Sequence, residues 1–247
     1  MPHFFISSED IKGNFVTISG PLLRHLKGSL RMREGEKVYL VDERQAGYHV
    51  VLTEVGRKEI RGEVIGREQG TLPTLDITLA QAIIKGKRMD LVVQKATELG
   101  VMEVMPVISE RSVVRPTESG DAANLRRWKA IAEEASQQSR RWNIPALHPP
   151  VPLLAYLDSA QSFDLAIILW EREGKNTMKD ILKKGGRRVC LLVGPEGGFT
   201  EIEVKRAREK GFNPVTMGDG TLRSETAAIA AISIMQYELG DSRKVLL

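Results

Sequence analysis

Leu191-Leu192-Val193-Gly194-Pro195-Glu196-Gly197-Gly198-Phe199-Thr200-Glu201-Ile202-Glu203 settles the architecture of this chain. Its apolar start is long enough for a buried strand and stops at a turn rich in glycine and proline. Thr200 followed three residues later by Glu203 is the capping-box signature of a helix start. Glycines between strand and helix allow positive φ and let a ligand lie against bare backbone, so the segment reads as a binding edge. The loop carries an acid, Glu196, and no lysine, which argues against a nucleotide phosphate. An ordinary turn between strand and helix is the alternative reading.

The rest of the chain extends this pattern in both directions. Arg188 to Val193 leads into the loop, and Pro214 to Met217 reads as one more short strand. Gly218-Asp219-Gly220-Thr221-Leu222-Arg223 is a second glycine loop, and the almost wholly apolar Ser224 to Leu239 predicts a helix buried or docked on another subunit. Upstream, strands are expected at Leu75–Gln81, Val104–Ile108 and Asp164–Leu169. Helices are expected around Met89, Val92, Ala96 and Leu99, and at Met178–Lys184. Leu125, Trp128, Ala132, Ala135 and Trp142 form a further helical stripe, whereas Pro116–Ala123 reads as loop and Asn143–Pro152 as irregular chain. Alternating strands and helices indicate a parallel sheet, and such sheets bind ligands at the carboxyl ends of their strands, where both glycine loops fall.

Before Leu72 the period changes. Lys37–Asp42, Tyr48–Val55 and Ile60–Arg67 alternate with period two between glycines, as in a small antiparallel barrel or sheet. One helix from about Ser19 carries Leu22, Leu23, Leu26 and Leu30, with Arg24, His25, Lys27, Arg31 and Arg33 along it and just beyond. These cations are either a phosphate-contacting face or a solvated flank. Gly70-Thr71-Leu72-Pro73 reads as a linker.

Composition narrows the function. The 247 residues, 42% hydrophobic and 28% charged, suit one large or two smaller globular domains. A net charge of +4 permits an anionic partner such as RNA without demanding one. Cys190 is the single cysteine and lies in an apolar run, which suggests an inert thiol in a reducing cytoplasm. Four scattered histidines offer no metal spacing, and no run approaches membrane-spanning length. No Gly-x-Gly-x-x-Gly, no phosphate-loop lysine motif and no Gly-x-Ser-x-Gly elbow occurs, which disfavours dinucleotide, nucleotide and serine-hydrolase readings.

Taken together, Gly194-Pro195-Glu196-Gly197-Gly198-Phe199-Thr200 and Met217-Gly218-x-x-x-Leu222-Arg223-x-Glu225-Thr226-Ala227 resemble the RsmE family of ribosomal RNA uracil-N3 methyltransferases. The resemblance extends to Lys85-Gly86-Lys87-Arg88-Met89, Thr97-Glu98-Leu99-Gly100, Glu110-Arg111-Ser112, Arg24-His25-Leu26 and Leu30-Arg31. The chain departs from the family at Gln137-Gln138-Ser139, Arg141-Trp142 and Met217. The resemblance implies an α/β protein. Residues 1–72 would form an N-terminal PUA-like β-barrel that binds RNA, and 73–247 a SPOUT α/β domain with a trefoil knot. It also implies S-adenosylmethionine as cofactor, 16S ribosomal RNA within the small subunit as substrate, a homodimer and a cytoplasmic location.

By the same resemblance Leu169, Leu192, Gly194, Pro195, Gly198, Met217, Gly218 and Leu222 would hold the cofactor. Arg223, Glu196 and Glu225 are the candidates for chemistry. Uracil N3 carries a proton that must leave as the methyl arrives. Arg223 cannot act as a base at neutral pH, but its fixed charge can stabilise a uracil anion. Arg24, Lys27, Arg31, Arg33, Arg126, Arg127 and Arg140 would track phosphates. Two competing readings are a non-catalytic RNA-binding protein that keeps the fold and a nucleotide-dependent transferase or ligase.

Overall fold

The computed structural model describes residues 1–71, 73–113, 118–159 and 162–241. It divides into two compact units, Met1–Leu72 with Ser136–Asn143, and Pro73–Ala135 with Ile144–Leu247.

The first unit is a six-stranded sheet in the order β1-β4-β5-β6-β3-β2. Its strands are β1 (His3–Phe5), β2 (Ile11–Lys12), β3 (Phe15–Ile18), β4 (Lys37–Val41), β5 (Ala46–Val55) and β6 (Ile60–Gln69). The three period-two runs become β4, β5 and β6. The shorter strands carry too few residues to announce themselves, and β1 pairs parallel to β4, unlike its antiparallel neighbours. Alternate residues Val38, Leu40, Val50, Leu52 and Ile60 are fully buried in one core.

Helix α1 (Gly20–Arg24) starts with Pro21 in its first turn and runs on as a five-residue π turn, His25–Ser29. Leu23 and Leu26 are buried as expected, but Leu30 is 44% exposed. The wider turn ends the helix at Ser29, Arg31 takes φ +53°, and Met32 enters the core instead, donating its N–H to the Leu26 carbonyl at 2.9 Å.

The second unit holds a seven-stranded sheet in the order β10-β8-β7-β12-β11-β13, with β9 beside β8 and every pairing parallel. Its strands are β7 (Asp76–Ala82), β8 (Glu103–Ile108), β9 (Ala146–Leu147), β10 (Val151–Pro152), β11 (Leu165–Leu169), β12 (Arg188–Val193) and β13 (Phe212–Val215). The helices are α2 (Lys87–Glu98), α3 (Glu118–Gln138), α4 (Leu153–Asp158), α5 (Met178–Leu182), α6 (Glu201–Glu209) and α7 (Ser224–Leu239). Glu118–Ala123, read as loop because it is polar, is the first turn and a half of α3.

Period two divides the strands between two cores. Ile77, Leu79, Ile167, Leu169, Leu191 and Val193 face α2, α3, α5 and α7. Ala80, Ala82, Ile168, Cys190 and Leu192 face α4 and α6.

The helix ends follow local rules. Gly100, at φ +93°, closes α2 in a Schellman motif: the Val101 N–H reaches the Ala96 carbonyl and the Gly100 N–H that of Thr97, both at 3.0 Å. Arg140, at φ +54°, closes α3 the same way, with the Arg141 N–H on the Ser136 carbonyl at 2.9 Å. Trp142 therefore leaves the helical stripe on which it was expected. Its ring lies over Gly47 and Gly70, where a Cβ would come within 2.7 and 2.6 Å of it, and stands edge-on to Tyr39.

Cys190 is fully buried, and that burial pushes its thiol pKa up to about 12. The native protein is expected to resist thiol reagents at mildly alkaline pH and to titrate one thiol per chain once denatured. Rapid titration of the native thiol would contradict this packing.

Candidate active site

The carboxyl ends of β11, β12 and β13 surround a cavity of about 360 Å³, within the range of small-molecule sites. Each strand delivers its last apolar side chain to the wall: Leu169, Val193 and Val215. The turn after β12 contributes Gly194 to Gly198, and the turn after β13 contributes Thr216 to Arg223, with Ser224 and Ala227 beyond it. Both glycine loops thus bound one space. A β-sheet with all strands parallel places them together, because every strand ends on the same edge.

The first loop is held from three sides. Thr200 and Glu203 form a complete capping box at the start of α6. The buried Glu203 carboxylate accepts the Thr200 N–H at 2.8 Å, and its other oxygen accepts the Glu110 N–H at 2.8 Å. Arg111 donates to the Gly197 carbonyl at 2.8 Å. Glu196 pairs with Arg88 at 3.0 Å and accepts the Lys85 N–H at 3.2 Å. The motif residues Lys85, Arg88, Glu110 and Arg111 are therefore supports of this loop. Gly198 sits at φ +66°, where a Cβ would come within 2.8 Å of the Glu171 carboxylate.

Most of the candidate residues come together here. Leu169, Gly194, Pro195, Gly198, Met217, Gly218 and Leu222 line the cavity, as do Glu196 and Arg223. Leu192 does not. Two residues before the turn, it points to the opposite face of the sheet and is fully buried among Cys190, Phe199 and Val204, while Val193 takes the wall position. Glu225 is also outside the lining. It is buried in the first turn of α7, and its Oε2 meets no hydrogen-bond partner among the described residues. Glu196 is committed to Arg88 and Lys85. Arg223 is exposed at the N-cap of α7, and its guanidinium makes no hydrogen bond or ion pair among the described residues.

Trp170, Glu171, Thr216 and Asp219 were not singled out from the sequence and line the cavity too. Their signal was position alone, since each lies within a few residues of a strand end.

The basic candidates are distributed over the units. Arg24, Lys27, Arg31, Arg33 and Arg140 are exposed in the first unit, with Lys27 donating to the Gly56 carbonyl at 2.9 Å. Arg126 and Arg127 are exposed on α3 in the second unit, and Arg127 is paired with Asp90.

A sheet-end cavity with apolar walls, bare glycine backbone and no lining lysine suits a neutral or cationic ligand better than a polyphosphate. Comparison with known proteins agrees with that chemistry. Residues 71–236 match the family model for an RNA methyltransferase domain, and 18–65 that for an RNA methyltransferase PUA domain. The chain carries the domains of an RNA methyltransferase.

Two curated relatives narrow the class, both called ribosomal RNA small subunit methyltransferase E. The protein of Aquifex aeolicus is 33% identical, with 94% of this chain and 98% of the relative covered. That of Mesomycoplasma hyopneumoniae is 32% identical, over 93% and 96%. The crystal structure of the Neisseria gonorrhoeae enzyme of the same name, bound to S-adenosyl methionine, superposes with a TM-score of 0.88 at 36% identity, covering 98% of this chain and 99% of that one. The chain belongs to the ribosomal RNA small subunit methyltransferase E family.

Gly198→Ala tests the cradle. A methyl group at this positive φ, pressed on Glu171, is expected to weaken binding of S-adenosylhomocysteine about tenfold or more in calorimetry while the protein still folds. Unchanged affinity would show that no ligand lies against this backbone.

Proposed function

We propose that this chain methylates uracil N3 in 16S ribosomal RNA, with S-adenosylmethionine held in the cavity at the ends of β11, β12 and β13. Residues 1–72 act as the PUA-like RNA-binding domain and 73–247 as the SPOUT methyltransferase domain, its C-terminal segment threaded as a trefoil knot. The observation that carries this reading is the convergence of both glycine turns on one cavity with an uncommitted arginine at its edge.

The cofactor supplies an electrophilic methyl group and departs as a thioether. The protein has to exclude water, align the two reactants and manage the N3 proton. Leu169, Val193, Met217 and Leu222 supply apolar walls, and Gly194, Gly198 and Gly218 let the adenosine approach the backbone. Arg223 is free to meet the negative charge that develops on the uracil ring as the N3 proton leaves. Glu196, tied to Arg88, keeps the loop in shape and is a poor candidate for a base.

Exposed Arg24, Lys27, Arg31, Arg33 and Arg140, together with Arg126, supply the charge for RNA phosphates. Arg127 joins them by releasing Asp90. Association as a homodimer is supported by Ile234 and Tyr237, which α7 leaves 36% and 78% exposed. The family resemblance favours the assembled small ribosomal subunit as the substrate form, with the target base splayed out to reach the site.

The direct test is incubation with labelled S-adenosylmethionine and small ribosomal subunits from a strain lacking the enzyme, followed by nucleoside mass spectrometry of their 16S RNA. 3-Methyluridine is the expected product; a different methylated nucleoside, or none, overturns the assignment. Arg223→Ala is expected to lower kcat about a hundredfold with little change in donor affinity. A wild-type rate in that variant would remove Arg223 from the chemistry. RNA affinity should fall with salt. Replacing Lys27 and Arg31 together by alanine should make log K on log salt shallower by roughly 0.7 for each phosphate no longer neutralised.

A further inference from the structure

The sheet face beneath α7 is apolar along β7, where Ile77 and Leu79 precede Gln81 in the same row. Gln81 is completely buried all the same, level with Val193 on β12 and Pro106 on β8. Its Nε2 donates to the Ser224 hydroxyl at 3.0 Å and to the Ala82 carbonyl at 3.0 Å. The buried Ser224 hydroxyl in turn donates to the carbonyl of Gly194 at 2.5 Å.

The direction of this relay is fixed by valence. A carbonyl only accepts, so Ser224 must spend its single proton on Gly194 and must then accept from a donor, which the Gln81 amide provides. The parallel pairing of β7 with β12 ends at Gln81 and Val193, so Gly194 is the first residue beyond that ladder. Ser224 takes over as its partner.

We propose that Gln81 and Ser224 are positioning residues that set the separation of the two glycine turns and thereby the affinity for the methyl donor. Gly194 opens the first turn, and Ser224 directly follows Arg223, which closes the second. Arg88, Lys85, Glu110, Arg111 and Glu203 hold the first turn from outside the second. The Gln81–Ser224–Gly194 relay instead joins the two turns through buried side chains. Without it each turn keeps its own strand and helix, but their spacing is no longer fixed. The inference rests on the cavity being the cofactor site.

The test is calorimetry with S-adenosylhomocysteine, alongside steady-state kinetics with RNA. Ser224→Ala and Gln81→Met are each expected to weaken cofactor binding about tenfold and to raise the donor KM in proportion. KM for RNA should stay within about threefold of wild type, because the relay acts on the donor, and Gln81→Met separates the relay from direct contact, since Gln81 does not line the cavity whereas Ser224 does. The double variant should be no weaker than the worse single variant, because the two groups act as one unit. Ser224→Thr, which keeps the hydroxyl, should recover most of the affinity.

Wild-type affinity in both single variants overturns the proposal. So does failure of Ser224→Thr to exceed Ser224→Ala, or a parallel loss of RNA binding and melting temperature that marks mere unfolding. A wild-type protein that gives no heat with S-adenosylhomocysteine overturns the cofactor site itself. Binding by wild type with no effect of the variants overturns only the relay.

Discussion

A binding loop in which three of five residues are glycine has few side chains with which to hold its own shape, and beside Glu196 this chain relies on the Glu203 carboxylate. Ordering glycine costs more backbone entropy than ordering any other residue, so the turn from Gly194 to Gly198 depends heavily on groups outside it. Glu203 accepts backbone N–H groups from Thr200 and from Glu110, joining the start of α6 to the chain that leaves β8. Arg111 reaches the Gly197 carbonyl from that same outgoing segment. Charged hydrogen bonds of this kind are shorter and stronger than neutral ones, and Glu203 is largely shielded from water. The open face of the loop is left to backbone and cavity.

The sheet determines which side chains see that cavity. Leu191 and Val193 look toward α7, and Cys190 and Leu192 toward α4 and α6. A shift of one residue at a strand end therefore exchanges a cavity wall for a core position. Leu169, Val193 and Val215 occupy the wall because each is the final residue of its strand, and the neighbouring strands β11, β12 and β13 stop level with one another.

Much of this architecture was legible from residue order. The capping box at Thr200, the stop at Gly100 and the apolar helix after Arg223 are local signals with local causes, and each one forms as its residues dictate. The site was legible as two glycine loops, and its supporting residues as motifs without a stated purpose. What the sequence did not disclose depends on long-range registry. Whether Leu192 or Val193 faces the ligand depends on which face α7 covers. Arg140 closes α3 in a conformation that glycine would have announced, and Trp142 then lies on Gly47 and Gly70, far earlier in the chain. Gln81 read as one more residue of a buried strand, because its side-chain partner Ser224 lies 143 residues further along the chain.

In the proposed function both late glycine turns enclose one molecule of the methyl donor. A crystal structure of the protein with S-adenosylhomocysteine tests it most directly. The adenosine is expected between Gly194–Gly198 and Met217–Leu222, in contact with Leu169 and Val193. Ligand density at any other place, or side chains of this chain filling that space, would contradict it.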